Sequence, residues 1–129
     1  KMLPGAVELH QDSTGKTVGN FAPAVGTDRY DTARRVAAGF LPAGAHAKVG
    51  IATGLQFPDA LTGGAYMATI GGPLLLTDPK ALPSYTLSAL TTVAGTTPEV
   101  DIFGGANAVS DSVAKAIAAV VKVTAIGKF

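Results

Sequence analysis

Three kinds of group in this 129-residue chain carry ligand chemistry: a guanidinium beside carboxylates, an acid at a helix start, and glycine turns. Arg29 follows Asp28 in the run Gly26-Thr27-Asp28-Arg29-Tyr30. Its planar fork matches a phosphate or carboxylate in bidentate fashion. The same residue could instead form an internal ion pair with Asp28, Asp31 or Asp59. Asp59 follows Pro58 and falls in the first turn of an expected helix, where a carboxylate caps amides and complements the helix dipole. It could also pair with Arg29 or orient a sugar hydroxyl. Gly104-Gly105 lies between an expected strand and an expected helix, and Thr53-Gly54 has the same setting. Backbone amides in such turns can cradle an anion, although tight-turn geometry alone also calls for glycine. The candidate ligand-binding residues are therefore Arg29, Asp28, Asp59, Thr53, Gly104 and Gly105.

No catalytic or metal-ligating set accompanies them. The chain has no cysteine, which removes disulfides, thiolate metal sites and cysteine nucleophiles. His10 and His46 have no metal-ligand spacing. There is no G-x-S-x-G nucleophile elbow, no G-x-G-x-x-G and no P-loop lysine. Asp59, Asp78 and Asp111 fall near expected strand ends, where paired carboxylates could hold Mg²⁺ for phosphoryl chemistry. No motif supports that use, and fold alone does not imply function. The expectation is a non-enzymatic protein without cofactor or metal. Formal net charge is +1. The densest basic point is Arg29, Arg34 and Arg35 on one expected helix, which is not the basic stripe of a nucleic-acid binder. A polybasic membrane anchor and a membrane-spanning apolar run are both missing. Tyr30, Tyr66 and Tyr85 could stack on sugars, but scattered tyrosines also serve as packing.

The elements that must position these groups follow from periodicity. Hydrophobic residues make up 47% and charged residues 15% of the chain, enough for one core in one domain. Residues 1–23 read as an N-terminal arm or hairpin, with Val7 to His10 and Thr17 to Asn20 as short strands around a Ser13–Lys16 turn. The domain proper is expected over 24–129. Tyr30, Ala33, Val36, Ala37 and Phe40 recur at helical spacing, with Asp28 as N-cap, and Gly39, Pro42 and Gly44 break that helix. A strand is expected from Ala47 to Gly54, then a helix from Pro58 to Ile70. Gly63 and Gly64 lie inside this helix, at a cost that a close backbone approach would explain. Pro73 to Thr77 is continuously apolar, which predicts a central parallel strand. Helices over Pro83–Val93, with Leu87 and Leu90 inward, and over Val109–Val121 flank a strand at Glu99–Phe103. The last strand is expected at Val123–Ile126. This alternation predicts an α/β fold: a three-layer sandwich with a small, mostly parallel sheet of about four strands.

Five segments, in order and spacing, resemble the cell wall-binding repeat 2 family of Gram-positive bacteria. They are Gly26 to Ala33 (G-T-D-R-Y-D-T-A), Ala52-Thr53-Gly54 with Phe57 to Leu61 (F-P-D-A-L), and Gly72 to Thr77 (G-P-L-L-L-T). Ile102 to Gly105 and Ala108-Val109-Ser110 complete the set. Any one motif is weak; five in register are specific, and they cover about Val25 to Val121. The resemblance implies a Rossmann-like α/β repeat in the extracellular space, at the cell wall or cell surface. It implies three repeats in tandem, packed as a triangular unit that binds anionic wall polymers (teichoic-acid-like or secondary polysaccharide) without covalent bonds. The attached remainder in such proteins is a wall hydrolase, protease or adhesin. This sequence holds one repeat, so the expectation includes a homotrimer or partnership with further tandem repeats. Ala125-Ile126-Gly127 echoes Ala24-Val25-Gly26 as the opening of a following repeat would.

Overall fold

A computed structural model describes residues 8–11, 14, 17–21, 25–40, 48–93, 99–121 and 125–128. His46, the Ser13, Gly15 and Lys16 turn residues, the breakers Pro42 and Gly44, and Val123-Thr124 lie outside them. Strands β1 (Glu8–Gln11) and β2 (Thr17–Phe21) pair antiparallel as a two-stranded sheet of their own. Helix α1 (Arg29–Phe40) follows, and then strand and helix alternate. The order is β3 (Lys48–Thr53), α2 (Phe57–Ile70), β4 (Leu74–Thr77), α3 (Ser84–Val93), β5 (Glu99–Phe103), α4 (Asp111–Val120) and β6 (Ala125–Lys128).

β4, β3 and β5 form a small parallel open sheet, and β6 pairs in parallel along the outer side of β5. Side-chain alternation along the strands divides the core into two. Val49, Ile51, Leu75, Val100 and Ile102 face one side, where they pack with Ala37 of α1, Ala89 and Leu90 of α3, and Val113 and Ile117 of α4. Ala52 and Phe103 face the other side and meet Met67 of α2, with Leu74 and Leu76 against them. Helices thus cover both faces, as continuously apolar parallel strands require.

Two expectations about the core need correction. The apolar run Leu74–Thr77 is not central: β4 is at the end of the strand order, and β3 lies between β4 and β5. The run is apolar because β4 is sandwiched anyway, and its Leu76 carbonyl accepts from the buried Thr86 hydroxyl at 2.5 Å. Leu87 is exposed, and Thr86, Ala89 and Leu90 form the buried side of α3. Val36 is exposed as well, and α1 buries Asp31 and Ala37. In short helices on a small sheet, the buried stripe is too narrow for every apolar residue at helical spacing.

Candidate functional site

The chain enters α1 through a tightly bonded turn. The Asp28 carboxylate accepts from the Asp31 amide at 2.8 Å, and the Asp28 carbonyl accepts from the Thr32 amide at 2.9 Å. Asp28 is therefore an N-cap, which satisfies amides that have no partner inside the helix. The Thr32 hydroxyl accepts from the Gly26 amide at 3.0 Å. A Cβ on Gly26 would sit 2.4 Å from the Thr32 nitrogen, so only glycine fits there.

This cap points Arg29 at the far end of the sheet. Its guanidinium donates to the Gly54 carbonyl and ties α1 to the β3–α2 loop. It makes no ion pair with Asp28, Asp31 or Asp59. The ion pairs of α1 belong instead to Asp31, which is 1% exposed. Arg34 donates to Asp31 Oδ1 from Nε at 3.0 Å and Nη2 at 2.6 Å, and Arg35 donates to Oδ2 at 3.2 Å. The Thr27 amide adds a further bond to Oδ2 at 3.0 Å. That amide first, then the two guanidiniums, hold the Asp31 carboxyl below its ordinary value. Arg34 also lies 5.6 Å from the centre of the Tyr85 ring, and the Tyr85 oxygen accepts from the Thr27 hydroxyl at 3.1 Å. Sequence reasoning passed over this network. Its signal was the acid at Asp31 with arginines three and four residues on.

The six candidate residues fall into three places. Arg29 and Thr53 line a shallow depression of about 410 Å³ together with Gly54, Leu55, Gln56, Phe57, Ala60 and Leu76. Thr53 is fully buried, and its hydroxyl accepts from the Leu55 amide at 3.2 Å, so it shapes the loop. Asp59 stands over the end of β5: a Cβ on Gly104 would lie 2.6 Å from Asp59 Oδ2. Gly104 also has φ of 110°, a conformation that L side chains rarely adopt. The exposed Gly105 closes the turn after it, its carbonyl accepting from the Ala108 and Val109 amides at 3.0 Å each. Asp28 stays apart as a cap. Arg29, Thr53, Asp59, Gly104 and Gly105 all lie at the carboxyl ends of β3 and β5. The chain leaves β3 for β4 on one side and returns past it to β5 on the other. Such a reversal of strand order is where open α/β sheets bind ligands.

A second polar group lies at the opposite end of the sheet. Lys48 Nζ is 3.1 Å from Glu99 Oε1 and 3.7 Å from Asp101 Oδ2. The Asp101 side chain is 1% exposed, and neither of its oxygens has a hydrogen-bond partner. Burial pushes its carboxyl up; Lys48 opposes this and the Glu99 charge adds to it. Among the described residues no cluster of three or more His, Cys, Asp or Glu side chains could hold a metal ion. No described helix is long and apolar enough to cross a membrane.

The family model described as cell wall binding domain 2 (CWB2) matches residues 24–114. No curated protein sequence matches the chain. Among solved structures, Cwp6 from Clostridium difficile superposes with a TM-score of 0.74 at 22% identity, over 95% of this chain and 20% of that one. Cwp8 from Clostridium difficile superposes with a TM-score of 0.64 at 23% identity, over 80% of this chain and 16% of that one. The chain spans about a fifth of the length of the first of these structures, and at such identities the likeness is one of fold. The family match covers most of the chain and contains all six candidate residues: this chain belongs to the cell wall binding domain 2 family.

Proposed function

We propose that residues 24–129 form a non-catalytic module that holds a secreted polypeptide on anionic polymers of the bacterial cell wall, with residues 1–23 as an arm preceding it. The family match over residues 24–114 carries this reading. The contact point is the depression at the carboxyl end of β3. Arg29 is exposed there, and one nitrogen of its guanidinium engages Gly54. The remaining N–H groups are available to a phosphate or carboxylate of the polymer. Asp59 and the Gly104-Gly105 turn border the same end of the sheet and would orient sugar hydroxyls or the anion. A few charge-assisted bonds at such a point suit a domain with a net charge of only +1. Arg29→Gln is expected to weaken sedimentation with purified walls at least about tenfold, a loss of about 1.4 kcal/mol, and to leave the fold intact by circular dichroism. Unchanged sedimentation of a folded Arg29→Gln variant would remove the depression from the binding site.

A second reading is favoured by the apolar residues at the same end. Leu55, Phe57 and Leu61 are 58%, 77% and 63% exposed. Isolated exposed apolar residues are ordinary, but three around one loop and helix start mark a contact surface. On this reading the domain assembles with copies of itself, as a homotrimer or with neighbouring tandem repeats. Leu55 and Phe57 also line the depression, so assembly and wall binding are compatible on this reading if the polymer is held at the seam between copies. Light scattering that finds only monomer at high concentration would rule out self-assembly of the single domain.

A further inference from the structure

At the amino end of the sheet a carboxylate is buried without a donor. Asp101 is 1% exposed, and neither of its oxygens accepts a hydrogen bond. The strand register explains this. Asp101 lies opposite Gly50 of β3 and opposite Gly127 of β6, so neither neighbouring strand sets a side chain beside it. A Cβ on Gly50 would lie 2.6 Å from Met67 Cγ, so an apolar side chain of α2 fills the space over that glycine. Among the described residues the cation beside Asp101 is Lys48 of β3. Its Nζ is 3.7 Å from Asp101 Oδ2 and closer, at 3.1 Å, to Glu99 Oε1. Glu99 shares the Asp101 face of β5, two residues away. Of the other elements packed here, α2 brings Tyr66 near Lys48, and β6 sets Ala125 and Gly127 opposite Glu99 and Asp101. One lysine thus serves two carboxylates. With a proton on Asp101 the group is neutral; without it, a negative charge stands uncompensated inside the sheet.

We infer that Asp101, with Lys48 and Glu99, is a proton-operated latch on β6: the protonated carboxyl keeps that strand paired with β5, and loss of the proton releases it. A buried charge without donors is relieved by taking up a proton or by letting water in. Water reaches Asp101 most readily by parting β5 from one of its two neighbours. β3 pairs on both sides, with β4 and β5, whereas the four-residue β6 pairs with β5 alone. Local opening falls on the element with the least support, and here that element is β6. Burial holds the proton on Asp101 above the ordinary carboxylate range, and the Glu99 charge adds to this against Lys48. The latch is therefore closed at low pH and opens as pH rises. It lies at the opposite end of the sheet from Arg29 and does not depend on wall binding.

Amide hydrogen exchange of the full 129-residue chain, followed by NMR between about pH 4 and pH 8 and corrected for intrinsic exchange, tests the latch. Protection of the β6 amides is expected to fall about tenfold or more as pH rises, while protection of β3 holds. Asp101→Asn, which keeps the shape and cannot ionise, should leave β6 equally protected across the range. Lys48→Met removes the charge that favours the ionised carboxyl, so it should move the loss of protection to higher pH. This second variant keeps the inference testable if Asp101→Asn does not fold. Protection of β6 that is constant with pH, or that falls in step with β3, would overturn the inference. A loss that persists in Asp101→Asn, or that Lys48→Met leaves in place or moves to lower pH, would overturn it too.

Discussion

A methyl group added to Gly63 would meet the Phe103 ring at 2.7 Å, whereas one added to Gly64 would meet Leu74 at 3.7 Å, an ordinary contact. The two glycines are adjacent in α2, yet the same substitution acts on them in opposite directions. Gly63→Ala gains helix propensity but displaces a core aromatic ring, and the net effect is a loss of about 1–3 kcal/mol in denaturant unfolding. Gly64→Ala keeps the propensity gain and stabilises the domain by about 0.5–1 kcal/mol. Two glycines in a helix signal close approach in the sequence; only three-dimensional contact tells which of them is required. Asp101 was not legible at all, because a carboxylate within a strand reads as a surface residue until both faces are known to be covered. Its raised carboxyl gives a pH dependence of definite sign. The folded state holds the proton above the ordinary value of 3.8, so the stability this group contributes is fully present below that value and is lost as pH rises through the raised one. Asp31 works the other way: its lowered carboxyl contributes stability above 3.8, lost as pH falls below it. Melting temperature followed between about pH 4 and pH 8 should therefore show Asp101→Asn gaining on the wild type as pH rises. A constant difference across that range would mean that Asp101 does not titrate there.

At the scale of elements, α1 is the piece that places the proposed site. Its first turn depends on Asp28, and Asp28→Ala is expected to cost about 1 kcal/mol. The same change should weaken wall binding less than Arg29→Gln does, because Asp28 caps the helix and Arg29 faces the depression. A binding loss as large as that of Arg29→Gln, with the helix still formed, would assign Asp28 to the ligand. The helices and the strands β3, β4 and β5 follow closely from periodicity, caps and glycine breaks. Asp28 illustrates this, since its carboxylate caps α1 by accepting from the Asp31 amide at 2.8 Å. The strand order does not follow from the same signals. Leu74-Leu75-Leu76 reads as a central strand, but burial on both faces depends on the covering helices and not on the position in the sheet. For the same reason Leu87 and Val36 fit the helical period and still face outward.

For the molecule as a whole, five motifs in register carried the family, and the model match over residues 24–114 bears that out. The structure explains what several of those motifs do locally. Gly26 to Thr32 build the entry to α1, the Gly54 carbonyl receives Arg29, and Gly104 makes room for Asp59. Much of the family pattern therefore supports folding, which is why the pattern identifies the domain more sharply than it identifies a ligand contact. The proposed site was legible as six candidate residues and not as a place on the sheet, because an exposed arginine and a depression become visible together only in three dimensions. Wall attachment by this domain is tested most directly by sedimenting the purified chain, alone and as a tandem of three copies, with cell walls of its source. Walls stripped of their anionic polymers serve as the control. The account predicts that the chain or its tandem pellets with intact walls and stays in solution with stripped ones. Failure of both forms to pellet with intact walls, or equal pelleting with stripped walls, would contradict it.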